Sequence, residues 1–145
     1  MKKLFTSLVI IFAVVAIHAQ TIPVDQQLIR TSGFTVHAAH KSAIASNVSS
    51  ENLAKCIEHQ RIAVSLFKEG NKDMAIYHSI YARNLAFEVI KTNGMTVNPK
   101  LEFTTEERAL DSGSPSNEQL DSTLPSGKSF TDQNYLDPQL MGIDL

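Results

Sequence analysis

Beyond residue 19 the chain holds four histidines and its single cysteine, side chains that ligate metals or move protons: His37, His40, Cys56, His59 and His78. Their spacing is helical. His37 and His40 stand three apart, as do Cys56 and His59, and residues at i and i+3 project from one face of a helix. Two helices would then each present a two-ligand edge, and a third, carrying His78, would add a fifth donor. Imidazole together with thiolate suits zinc or copper, and the interior of a helical bundle is a recognised place for a metal or a haem. These five are therefore the metal-ligand candidates. The competing assignment is structural: an edge histidine keeps its ring tip in water, an inward one is hydrogen-bonded in the core, and a lone cysteine is a small hydrophobe. The C-x-x-C-H motif of covalent haem attachment is absent from the sequence.

Other chemistry finds no footing. There is no G-x-S-x-G, no glycine-rich phosphate loop and no H-E-x-x-H. Glu106 and Glu107 are adjacent, so a helix points them to different sides, which does not make an acid/base pair. The sequence reads as that of a protein that is not an enzyme. Nucleic-acid binding needs a concentrated basic surface. Residues 20–100 hold only nine Lys or Arg against six acids, and residues 101–145 hold two against nine. That distribution argues against it.

The helices that must carry the five residues are marked by periodicity and punctuation. A first helix follows Thr31-Ser32, from about Phe34 to Asn47. Ser49-Ser50 caps a second, from about Glu51 to Lys68, and Gly70-Asn71 closes it. A third runs from about Lys72 to Thr92 and ends at Asn93-Gly94. At 100° per residue the second buries Leu53, Ile57, Gln60, Val64 and Phe67, with His59, Ile62, Ala63 and Leu66 beside them. The third carries Met74, His78, Tyr81, Leu85 and Val89 in one stripe and Ile76, Ile80 and Phe87 in another. Helices apolar on two sides are sandwiched between neighbours. About 60 residues supply few neighbours, so either self-association or the tail must cover one side.

Ala63, Leu66, Gly70, Ala75, Ser79 and Ala82 fall where a tetratricopeptide repeat places its small and apolar residues, with glycine at the turn. The segment from His59 to Phe87 resembles one such helical hairpin and covers about a fifth of the chain. The resemblance implies a protein-binding scaffold without catalysis.

The ends have their own characters. Lys2 and Lys3 precede 14 residues, Leu4 to Ile17, that are apolar apart from Thr6 and Ser7, too short to span a bilayer and right for a signal peptide. Cleavage between Ala19 and Gln20 is expected, giving export to the periplasm or the medium with no stable membrane anchor. The single cysteine excludes an intramolecular disulfide. Of the 145 residues, 43% are hydrophobic and the net charge is -2, but removing the export signal lowers both. From Asp111 to Gly127 the chain is dominated by Ser, Asp, Gly, Pro, Asn and Thr, which predicts disorder. Asp121-Ser122-Thr123 within it resembles an O-glycosylation acceptor of some secreted bacterial proteins. Phe130 to Leu145 regain apolar content without periodicity and read as a loosely ordered tail, or as a motif that docks on a partner or on the protein itself.

The sequence thus predicts an all-α protein. Its divisions are a signal peptide (1–19), an N-terminal extension (20–32), a small antiparallel three-helix domain (33–92) and a mostly disordered acidic tail (93–145). Its function reads as a binding or structural module that associates with itself or a protein partner through apolar helix faces. The alternative is a bundle binding zinc, copper or haem.

Overall fold

The computed structural model describes residues 21–48, 50–125 and 141–145. The segment expected to be an export signal, and the expected cleavage site between Ala19 and Gln20, lie outside the described residues. So do residues 126–140. The described chain is all-helical: α1 (Val24–Ser46), α2 (Glu51–Lys68), α3 (Lys72–Thr92), a 3-10 turn (Pro99–Leu101), α4 (Thr105–Ala109) and α5 (Asn117–Asp121). None of the described helices is long and apolar enough to cross a membrane.

The second and third helices occupy the spans that their punctuation predicted. The Ser50 side chain accepts the Leu53 amide at the start of α2. At its end Gly70, at φ 87°, turns the chain so that Asn71 N–H reaches the Leu66 carbonyl. The end of α3 repeats the device, with Met95 N–H on the Ile90 carbonyl.

The first helix corrects the expectation. It begins ten residues earlier than Phe34, at Val24, so most of the N-terminal extension is helical. Thr31 and Ser32 do not cap it. The Thr31 hydroxyl instead donates to the Gln27 carbonyl, one turn back within the helix. Burial is what extends the helix, because Leu28 and Ile29 are fully buried and continue the stripe of Val36, Ala39 and Ala43. Asn47, at φ 51°, ends it in a left-handed turn that sends Val48 N–H to the Ala43 carbonyl.

α3 is the shared wall, packing along α2 and α1, which touch each other less. Small residues permit the close approach: Ala39, Ala63, Ala75, Ser79, Ala82 and Ala86 are all fully buried. One apolar cluster gathers Val36, Leu53, Cys56, Ile57, Leu85, Val89 and Ile90, and a second gathers Leu28, Ile29, Val64, Ile76 and Ile80.

The segment after α3 also departs from expectation, as far as it is described. Between residues 99 and 125 it forms α4 and α5 where composition predicted disorder. Each short helix opens with a capping box, Thr104 with Glu107 and Ser116 with Gln119, so its own side chains satisfy its first amides. Leu120 is then 1% exposed and Glu107 2%, and Phe103 sets its ring edge-on to Phe87 of α3. Few apolar residues suffice when they dock on a preformed surface. Met141 is buried in the first cluster and Leu145 packs on the second, so residues 141–145 lie against the long helices, as one of the expectations for this segment had it.

Candidate functional site

The structure joins two of the five candidate residues. His59 of α2 and His78 of α3, on facing helices, bring their Nδ1 atoms to 2.9 Å, with the rings stacked at 5.1 Å between centroids. Both are buried, at 0% and 1% exposure. The other nitrogen of His59, Nε2, lies 3.0 Å from Oδ1 of Asp121 at the end of α5. Oδ2 of the same carboxylate takes the Lys55 ammonium at 2.9 Å, and Lys55 also reaches Glu51 one turn back at 3.0 Å. The Tyr81 ring lies tilted over His59, 4.7 Å between centroids, with its hydroxyl beside the Asp121 carboxylate.

The protons in this chain follow from the partners. A carboxylate only accepts, so His59 Nε2–H donates to Asp121. In neutral His59 the remaining Nδ1 is an acceptor, and His78 Nδ1–H donates to it. Burial holds both rings neutral. It pushes His78 down to about 4, helped by the neighbouring His59, and it lowers His59 despite the opposing pull of Asp121. For Asp121, burial alone would raise the carboxyl, but the hydrogen bonds from Lys55 and His59 outweigh it and keep the group ionised. Asp121 in turn holds Lys55 protonated. The arrangement is one hydrogen bond between two neutral imidazoles, anchored at one end on a carboxylate whose side chain is 28% exposed.

The other three candidates lie apart from this pair. Cys56 is fully buried, its thiol donates to the Leu53 carbonyl at 3.1 Å, and burial pushes it far above the usual thiol range. His37 and His40 are on α1, His37 half-buried and His40 buried. Burial and the nearby Lys41 lower His37. Ile44 and Val48, at the end of α1 and just beyond it, are 66% and 45% exposed. Among the described residues no group of three His, Cys, Asp or Glu is disposed to hold a metal ion. His59 itself has both nitrogens engaged, so a metal would displace either His78 or Asp121.

Two further buried polar residues do comparable work, and the sequence reading passed over their role. Arg83 of α3, fully buried, donates through Nε to the Leu101 carbonyl at 2.9 Å and through Nη2 to the Glu102 carbonyl at 3.2 Å. Its Nη1 lies 3.0 Å from Oε2 of Glu107, and its guanidinium stacks 4.2 Å from the Phe103 ring centroid. Gln60 of α2, also fully buried, donates to the carbonyls of Ile29 and Met141 at 2.9 and 2.8 Å and accepts from Ser79 at 3.3 Å. Each of these residues, like His59, is aimed at the chain beyond α3. Two surface hollows of about 180 and 230 Å³ flank Phe103 and Arg108, and neither is lined by the histidine network.

No family model, curated protein or solved structure matches the chain.

Proposed function

We propose that the protein is an exported, non-catalytic binding module: an antiparallel bundle of three long helices, with residues 99–125 and 141–145 fastened to it, which associates with a second copy of itself. The observation that carries this reading is the aim of the buried polar groups. His59, Gln60 and Arg83 hold Asp121, Met141 and residues 101–107, so the polar interior is committed to chain docking rather than turned toward a cleft. The α2/α3 hairpin, with its small residues at the crossing, supports a protein-binding scaffold of the tetratricopeptide-like kind. Phe34 and Ile44, 44% and 66% exposed on α1, support contact with a protein. The test is the N terminus, metal content and mass of the exported protein. The reading predicts a chain starting at Gln20, no stoichiometric transition metal, and a mass that rises toward a dimer with concentration. A chain retaining residues 1–19, or a monomer at every concentration, contradicts it.

A second reading keeps a metal, because His59 and His78 already face each other beside a carboxylate. Two imidazole nitrogens on one tetrahedral zinc stand about 3.3 Å apart, so a small opening of the pair would admit it. Zinc, copper or haem retained by the purified protein and released by His59→Ala would establish this reading.

A further inference from the structure

The groove between α1 and α2 is built for one peptide. Met141 enters the first apolar cluster and its carbonyl takes a hydrogen bond from the Gln60 amide at 2.8 Å. Gln60 is held for that task, since its other contacts to Ile29 and Ser79 fix the amide on both sides. Two positions further on, Arg30 Nε donates to the Ile143 carbonyl at 3.1 Å. Leu145 then packs on the second cluster. Backbone carbonyls are read by two side chains, and alternate apolar side chains fill the two clusters, which is how a groove recognises a peptide.

Two glycines make the fit specific. A Cβ at Gly33 on α1 would collide with the Met141 carbonyl oxygen, so residue 33 must be glycine for the peptide to lie this deep. Gly142 has φ 70°, and a Cβ there would stand 2.9 Å from both Ile29 Cγ2 and Val64 Cγ2. A helix interior ordinarily disfavours glycine, so Gly33 weakens α1 and admits the peptide.

From this we infer that the α1/α2 groove is a peptide-recognition site for the sequence Met-Gly-Ile-Asp-Leu, filled here by the chain's own residues 141–145 and open to the same segment of a second copy. The inference rests on the self-association reading and names its contact. The occupant is a second copy because the peptide that fills the groove is this chain's own segment 141–145. The 15 residues between Pro125 and Met141 reach at most about 50 Å, enough to cross to a neighbouring molecule. Exchange of such an element between protomers is a low-cost route to a dimer.

The test is complementation between two full mature chains. Gly33→Ala closes the groove while improving helix propensity, and Gly142→Val spoils the peptide while leaving the groove intact. Each alone is expected to be a folded monomer. Mixed one to one, they form a heterodimer in which the Gly142→Val chain's groove holds the Gly33→Ala chain's end, and neither forms a dimer with itself. A mixture that stays monomeric while both variants keep native circular dichroism overturns the inference. The wild type decides the matter if either variant unfolds: a protease site is placed within residues 126–140 and cut after folding. The released fragment stays on the body and exchanges with fluorescein-labelled Met-Gly-Ile-Asp-Leu, whereas its loss, or its failure to exchange, overturns the inference. A wild type that dimerises while the mixture does not leaves the association reading standing without this contact, and a monomeric wild type with a dimeric mixture does the reverse.

Discussion

Replacing Arg83 by Met and Glu107 by Gln, singly and together, probes how the segment after α3 is held. Both side chains are buried, and Glu107→Gln keeps the amide acceptor that closes the capping box with Thr104. The single Glu107→Gln change leaves a guanidinium in the core without its counter-charge, which costs about 3–5 kcal/mol. Arg83→Met strands the Glu107 carboxylate and also leaves the Leu101 and Glu102 carbonyls without donors, so its cost is similar or larger. The double variant has no buried charge left. What remains is the loss of two hydrogen bonds, about 1–3 kcal/mol, so the two changes couple by about 3 kcal/mol or more rather than adding. Urea unfolding of the purified protein, followed by far-ultraviolet circular dichroism, measures all four corners of the cycle. At about 4 °C per kcal/mol for a chain of this size, each single change also lowers the melting temperature by roughly 12–20 °C. Single changes costing under about 1 kcal/mol, as for an exposed pair, or costs that simply add, would show that Arg83 and Glu107 do not act as a buried pair.

Three further outcomes follow from the same groups. His78 is lowered to about 4 in the folded state from an ordinary 6.5, so the unfolded chain binds more protons between those values. Stability is therefore full above about pH 6.5 and declines by up to about 2–3 kcal/mol as pH falls toward 4; denaturant midpoints across that range check this, and His78→Leu should flatten the slope. Cys56, buried with its thiol raised, should resist a disulfide-exchange reagent in native buffer and react at once in denaturant, while fast native labelling would contradict its placement. Asp121→Ala removes the partner of His59 Nε2 and of Lys55, and should release α5 so that the Leu120 and Ser122 amides exchange fast while those of α3 stay slow. Equal acceleration in both places would show that Asp121 supports the bundle as a whole.

Local signals made α2 and α3 legible from the sequence. Ser50, Gly70-Asn71 and Asn93-Gly94 act within a few residues of themselves, and cap geometry is a local matter. The inward place of His78 was legible too, because Met74, Tyr81 and Leu85 share its stripe. The partner of His59 was not: Asp121 lies 62 positions away, and in the sequence it stood only inside a short acceptor-like triplet. Composition over Asp111 to Gly127 averaged away Leu120, and the Thr104/Glu107 and Ser116/Gln119 boxes that define α4 and α5 were in plain sight but carried no apolar run behind them. Arg83 and Gln60 show a related limit. A polar residue on a buried face declares that it needs a partner, while the partner's identity depends on how the chain folds back.

His59, Gln60 and Arg83 fasten Asp121, Met141 and residues 101–107 to the long helices. Hydrogen exchange of the purified protein at neutral pH is the decisive measurement. With those contacts in place, the amides of Arg108, Leu110, Leu120 and Ser122, bonded within the short helices, exchange at least about a hundred-fold more slowly than in an unstructured peptide. Exchange of those four at unstructured rates, while α2 and α3 stay protected, would contradict this fastening.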